Sequence, residues 1–519
     1  MLIKKLFVLF PLVLSCAGRP EVREIGQWGR FELVLHAEPG ENPFLDTSLE
    51  AWFTSPGGRE ISVDGFYDGD GAGGIEGDVF KVRFAPGEPG RWIYRTVSSR
   101  KALDGRKGEF DCVLSGARGP LVRDPAEPWY LKFSSGDYFF ESGPNDPESF
   151  LARDFITQQQ RLASIDYLAE AGCNILYFGQ VNAGPGDGGP EMKVHPWIGG
   201  NIEPDFDRLC LDLMNRLEGV LDRMQAQDII CHLVFWLDDC HRFTGAITPQ
   251  QEEMWFRYTV ARFGCYPNLI WNLAEEYEEC FDHTWCENRA ALLKKLDPLD
   301  HPVTVHQLGK AGFDLAGSEN FDLTALQFNS TDPDSVNAAI IQVRDQVAAA
   351  GRPVPVSLIE WTQIGPGQAE QARRGIWAIA AGGGTYQIFN NDGERGSADF
   401  ARWEAHWRYA QILKTLMESL PLGRMAPDNS LLSSGFCLAA PESAYLVYQP
   451  VGGEFTLQLP TGGESYHAWW IDPRTGEVSR GEKAGPGSAA FSTPTDEDWA
   501  LLVTARPRSF DRVKKFPTG

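Results

Sequence analysis

Residues Leu269 to Glu276 read LIWNLAEE, six residues suited to a buried strand and then two carboxylates. A mostly apolar run of that length, with little alternation, fits a strand covered on both faces, as in a parallel sheet between helices. An ionised carboxylate is costly to bury alone, so a core strand ending in Glu275 and Glu276 must deliver them to a partner, a ligand or water. The sequence on either side decides what kind of sheet this strand belongs to.

From residue 138 to 420, short β-like runs alternate with helical ones such as RLASIDYLAEAG, EEMWFRYTVARFG and QARRGIWAIAAGG. The strand runs are YFFESG, NILYFG, IICHLVFW, LIWNLAEE, PVTVHQL, TALQFN, PVSLIEW and TYQIFNN. Eight strand and helix alternations predict a (β/α)8 TIM barrel over residues 125–425, with its chemistry at the C-terminal ends of the strands. Glu276 then ends strand four and Glu360, in PVSLIEW, ends strand seven. Both would point into one cleft. Two carboxyls facing each other across a sugar suit glycosidic cleavage, one protonating the leaving oxygen while the other attacks the anomeric carbon or activates water.

The flanks read differently. Residues 20–118 alternate in short runs (RFELVLHAE, LEAWFTSP, VFKVRFAP, GRWIYRTV, GEFDCVLS) between Gly, Pro and Asp, the spacing of an immunoglobulin-like β-sandwich. Its segment FYDGDGAGGIEGD has Ala72 where a calcium loop needs an oxygen ligand, so a turn-rich loop is expected. Residues 428–506 return to short strands (SAYLVYQP, EFTLQLP, SYHAWWID, WALLVTA) and predict a second β-sandwich, with residues 507–519 a disordered tail.

Composition narrows the partners. A chain of 519 residues, 43% apolar and 12% aromatic, has material for several folded domains. Its formal charge of −24 argues against nucleic acid and anionic membrane surfaces, which reward Lys and Arg. Residues 1–16 read as a signal peptide, with Lys4 and Lys5 ahead of an apolar run too short to span a bilayer. The run closes at VLSC, which resembles a bacterial lipobox. The resemblance implies cleavage before Cys16 and its acylation, hence an exported, membrane-anchored lipoprotein, the alternative being plain secretion. Setting Cys16 aside leaves nine of the ten cysteines, several of them in apparent strands and helices and most reading as buried small hydrophobes, with Cys240, Cys280 and Cys286 candidates for one disulfide. Without CxxC, HxxxH or HExxH no zinc site is expected, and no cofactor is called for.

The motifs also carry a family resemblance. WNLAEE resembles the strand-four signature of clan A glycoside hydrolases, where an Asn precedes the acid/base Glu, and PVSLIEW resembles the strand-seven segment that bears the nucleophile. That implies Glu276 as acid/base and Glu360 as nucleophile of a retaining enzyme. Glu275 stands where the family has Asn, which puts the contact to the sugar 2-hydroxyl in doubt and keeps Glu275 open as the acid. More narrowly, FYDGDG, GPNDPESFL, ARFGCYPNLIWNLAEE and AGGGTYQIF resemble bacterial apiosidase-like glycosidases with an uncharacterised N-terminal sandwich. AWWIDPRTGEV and DEDWALLV resemble the small C-terminal sandwich of those proteins, named for collagen binding.

Other residues are candidates for the sugar. Asp238, Asp239 and His241 follow strand three, where loop carboxylates equally often cap the next helix. Asn182 opens the long Gly-rich second loop, and His195 and Trp197 within it could offer a hydrogen bond and a stacking platform. Trp236, His306, Asn329 and Trp361 sit at strand ends and are expected to face the cleft. The rival readings are a carbohydrate-binding lipoprotein on a degenerate barrel and a metal-dependent hydrolase, for which His195, His232 and His306 look too scattered.

Overall fold

The computed structural model describes residues 23–146, 150–151, 156–182, 194–200, 203–238, 240–309, 312–361, 364–390, 398–462 and 465–508. Asp239, Cys16 with its signal segment, and most of the long second loop lie outside the described residues.

Near the N-terminus, strands Glu24–Gly26, Lys107–Val113, Gly90–Ser98, Leu49–Thr54 and Glu60–Asp64 form one sheet in that order, and Phe31–His36, Val79–Phe84 and Phe66–Tyr67 a second. Along Leu49–Thr54 every second residue is buried, as a sheet with one covered face requires. Phe53 stacks on Phe84 at 4.4 Å and Phe31 on Phe110 at 4.5 Å, so aromatic rings fill the space between the sheets. In the Asp- and Gly-rich loop, buried Asp68 pairs with Lys81 at 2.7 Å and Arg262 at 2.6 Å, and Asp70 accepts from the amides of Ala72 and Gly74. Both carboxylates already have partners in the protein, as in a turn.

The middle of the chain carries a parallel sheet. Its strands are β1 (Ser142–Asn145), β2 (Ile175–Val181), β3 (Ile230–Trp236), β4 (Leu269–Ala274), β5 (Val303–Thr304, resuming at His306–Gln307), β6 (Ala325–Leu326), β7 (Ser357–Trp361) and β8 (Thr385–Phe389). Seven are joined in the order β5, β4, β3, β2, β1, β8, β7, a parallel half-barrel. The second part of β5 pairs with β6, and one parallel bridge joins Gln327, just beyond β6, to Glu360 of β7. Two inner layers fill the interior, Ile175, Ile230, Ile270 and Leu323 below and Tyr177, Val234, Leu237, Ala325 and Ile359 above. A hairpin of Leu121–Arg123 and Leu131–Phe133 plugs the lower end through Leu121, Leu131 and Phe133.

Helices Gln158–Glu170, Leu211–Ala226, Pro249–Phe263, His283–Leu296, Pro333–Ala349, Ala369–Ala381 and Glu404–Glu418 cover the outside. Two of them start on strong local signals: Thr248 and Asp332 accept a first-turn amide, and Pro249 and Pro333 follow. The strict alternation expected from sequence fails once. Between β5 and β6 the described residues form turns rather than a helix, in a segment that spends Gly309, Gly312 and Gly317 on backbone freedom.

The C-terminal part has a sheet of Ala426–Pro427, Phe436–Ala440, Ala444–Gln449, Trp499–Thr504, His467–Ile471 and Val478–Arg480, and a pair, Glu454–Leu459 with Gly487–Ser492, facing it through Phe455 and Trp470. Buried ion pairs bind both flanks to the centre. Arg83 and Arg262 share Glu218 at 2.6 and 2.7 Å, and Arg373 meets Asp498 at 2.8 Å with both side chains inaccessible. None of the nine described cysteines is in a disulfide, so the bridge considered among Cys240, Cys280 and Cys286 is absent; Cys240 and Cys286 are instead packed in the interior. Among the described residues no helix is long and apolar enough to cross a membrane.

Candidate active site

β4 stops at Ala274, and Glu275 still donates its amide to the Trp236 carbonyl at 2.8 Å. At Glu276 the backbone turns left-handed, with φ 42° and ψ 51°, a conformation that costs a non-glycine residue about 1–3 kcal/mol. Neighbours on a strand point to opposite faces, and this turn cancels the alternation. Both carboxylates therefore face inward: Glu275 Oε1 accepts from Tyr177 Oη at 3.2 Å, and Glu276 Oε1 accepts from Gln327 Nε2 at 2.7 Å.

β7 reaches the same result with a bulge. Leu358 lies opposite Tyr386 and Trp361 opposite Ile388, so three steps on β7 match two on β8. The extra residue lets Ile359 join the inner layer while Glu360 also turns inward, where its Oε1 accepts from Gln327 Nε2 at 2.7 Å. One amide nitrogen thus donates to both glutamates. Gln327 Oε1 accepts from the Gly309 amide at 3.0 Å, which fixes the amide with its nitrogen toward the acids.

His306 lies between the carboxylates. Its ring nitrogens are 3.8 Å from Glu275 Oε1 and 3.8 Å from Glu360 Oε2, and Nδ1 is 3.3 Å from Tyr177 Oη. Complete burial, helped by the nearby His232, pushes its pKa down to about 3, so the ring is neutral at ordinary pH. Beneath it Glu141 accepts from Ser357 Oγ at 2.5 Å, Thr385 Oγ1 at 2.9 Å and Gln387 Nε2 at 2.5 Å. Burial opposes its charge, but His232 and these donors outweigh that and hold the carboxyl below the usual range. Asn272 links the layers, its side chain 3.2 Å from His232 Nε2 and accepting from the His306 amide. Two sets have donor atoms close enough to hold a cation, all within 4.8 Å: Glu275, His306 and Glu360, and Asp238, Glu276 and Glu279.

The remaining candidates divide. Asp238 belongs with Glu276 at the rim, His241 is exposed with Nδ1 3.6 Å from Cys280 Sγ, and Asn329 is exposed. Asn182 pairs through its backbone with Val194, and His195 packs on Trp197 and Phe243. Three tryptophans expected at the cleft are not there. Trp361 is the outward partner of inward Glu360; its ring fills the space where a Cβ on Gly375 would sit, and its indole donates to the Ser330 carbonyl. Trp236 donates to Glu252 of helix Pro249–Phe263 and packs on Trp255, while Trp197 is buried between Phe206, Trp236, Trp255 and Phe243. The sequence reading missed Gln327, Tyr177 and Glu141. Gln327 had one visible signal, an amide at the end of a buried strand; Tyr177 and Glu141 lie inside the strand runs NILYFG and YFFESG and read as ordinary strand residues.

The arrangement is a pair of glutamates at the strand ends of a parallel half-barrel, and the architecture is that of known glycoside hydrolases. A crystal structure of a "putative glycoside hydrolase" from Bacteroides vulgatus superposes with a TM-score of 0.77 at 20% identity, covering 93% of this chain and 100% of that one. A glycoside hydrolase family 5 structure from the same organism gives 0.59 at 17% identity, over 75% of this chain and 94% of that one. A further structure named glycoside hydrolase gives 0.61 at 15% identity, over 76% and 98% of the two chains. Two family models match the flanks: a domain of unknown function, DUF5060, over residues 24–99, and a "Putative collagen-binding domain of a collagenase" over residues 428–504. No curated protein matches the chain in sequence.

Proposed function

We propose that the chain is a retaining glycoside hydrolase with Glu276 as acid/base and Glu360 as nucleophile. The observation that carries this is the shared donor. Because Gln327 Nε2 lies 2.7 Å from each acid, the two Oε1 atoms can be no farther apart than twice that distance. That upper limit falls within the separation of retaining enzymes, about 5–5.5 Å, and short of the about 6.5–9.5 Å an inverting enzyme needs for its water. Barrel closure belongs to the same reading, supported by the half-barrel, the pairing of β5 with β6 and the bridge from Gln327 to Glu360.

Chemistry follows from the positions. Glu276 gives its proton to the glycosidic oxygen while Glu360 attacks the anomeric carbon, leaving a glycosyl ester on Glu360 and a free alcohol. Glu276, now ionised, takes a proton from water as that water attacks the same carbon, and the sugar leaves with its original configuration. Glu275 stands in for the Asn of related motifs and offers an acceptor to a sugar hydroxyl, while neutral His306 separates it from Glu360. A binding-only protein would have no need for the strained backbone at Glu276 and the bulge at Glu360. Among glycosidases the motifs favour the apiosidase-like group. The substrate is a poly- or oligosaccharide met outside the cell, by a protein anchored through Cys16.

Hydrolysis of a panel of plant and algal polysaccharides, with the first-formed anomer read by NMR, tests the reading. Glu276→Gln and Glu360→Gln should each lower turnover about a thousandfold or more with the thermal midpoint nearly unchanged. Near-normal activity in either variant, or an inverted first product, would sink the assignment. Cys16→Ser should release the protein from the membrane fraction or leave it uncleaved; unchanged membrane association refutes the anchor.

A further inference from the structure

A second cavity lies away from the carboxylates, on the flank of the molecule, where the solvent face of the N-terminal five-stranded sheet meets helices Pro249–Phe263 and His283–Leu296. Its volume is about 730 Å³, within the usual range of ligand clefts. Glu50 and Ser62 line it from the sheet, Gln250 and Lys295 from the two helices, and Phe44 and Met254 give it an apolar floor. None of those four polar side chains makes a hydrogen bond or ion pair within the described protein. Two further carboxylates on the wall, Asp64 and Glu253, are each held by Arg257 at 2.9 Å. Trp52, outside the lining itself, is on the same face of its strand as Glu50, lies directly opposite Ser62 in the ladder, and is half-buried with Arg95 over its ring.

The donor set selects the ligand. Glu50 only accepts, Lys295 only donates, and Ser62 and Gln250 do both, which suits hydroxyl groups. An apolar guest would desolvate all four without pairing them, and an anion would meet Glu50 beside Asp64 and Glu253. A sugar brings hydroxyls at its edges and a C–H face for an apolar floor or an indole. We infer that this cavity, between the N-terminal sheet and the barrel helices, is a second carbohydrate-binding site that holds a segment of neutral polysaccharide apart from the catalytic cleft. The inference rests on the glycosidase reading only for the class of ligand.

Native affinity electrophoresis tests it, with galactomannan, arabinoxylan, xyloglucan or laminarin in the gel and polygalacturonate as the acidic comparator. The full chain carrying Glu360→Gln is the parent, so that the polymer survives, and Glu50→Ala, Lys295→Ala and Ser62→Trp are added to it singly. At least one neutral polymer should retard the parent, and each added change should weaken that binding about tenfold, with the melting midpoint kept. No retardation by any neutral polymer, retardation of the variants equal to the parent's, or a preference for polygalacturonate overturns the proposal. The two readings fail separately. The catalytic assignment is judged by hydrolysis in a chain with this cavity intact, and the cavity by binding in a chain that does not cut.

Discussion

Replacing Gln327 with Leu tests the geometry of the carboxylate pair more sharply than replacing either acid. The amide donates at 2.7 Å to Glu276 and at 2.7 Å to Glu360, so its loss removes the one donor shown to be shared by the two carboxyl groups. A hydrogen bond to a charged group contributes about 1.5–3 kcal/mol, which corresponds to a shift of about one to two pH units in the carboxylate it stabilises. In the proposed mechanism Glu360 must be ionised to attack, so the acidic limb of kcat/KM should move up by about one unit. Glu276 must hold a proton, and losing a donor to its ionised form moves the alkaline limb upward as well. The whole bell should therefore shift toward higher pH, with a lower maximum because Glu360 is no longer held in line. Carboxyl ¹³C NMR of labelled glutamate follows the same titrations without any substrate. Since the pair is coupled, the comparison is between whole curves before and after the substitution. A profile that stays in place, with kcat/KM within a factor of about two of the original, would refute the idea that this amide couples the two acids.

Two further predictions concern stability. Arg373→Met leaves Asp498 buried and without its cation, and should cost about 3–5 kcal/mol, read as a lower urea midpoint and as early loss of the C-terminal sheets in hydrogen exchange. If the C-terminal part keeps its protection, the pair is not what joins it to the central half-barrel. His306 has a folded pKa of about 3 against 6.5 when exposed, so the unfolded chain binds a proton that the folded chain refuses. Its contribution is full above pH 6.5 and is lost as pH falls toward 3, at ~1.4 kcal/mol per unit. Between pH 7 and 4 the parent should lose ~3 kcal/mol more than His306→Gln in urea denaturation, and equal slopes would mean that the ring is protonated when folded.

The strand pattern, its order along the chain and the two glutamates at strand ends could be read directly from local sequence, because each rests on periodicity or on a charge ending an apolar run. LIWNLAEE and PVSLIEW announced Glu276 and Glu360 for that reason. What neither could reveal is direction. Alternation would send Glu275 and Glu276 to opposite faces, and only the left-handed turn at Glu276 brings both inward. On β7 a bulge, visible only against the register of β8, aims Glu360 at the cleft and sends Trp361 to the helices. Gln327 owes its role to strands far apart in the chain, and so does the cavity between the N-terminal sheet and helix Pro249–Phe263. Sequence determines which residues are costly to bury and where strands end; the partners that make those residues useful come from other strands, and only the packing of the whole chain decides who they are.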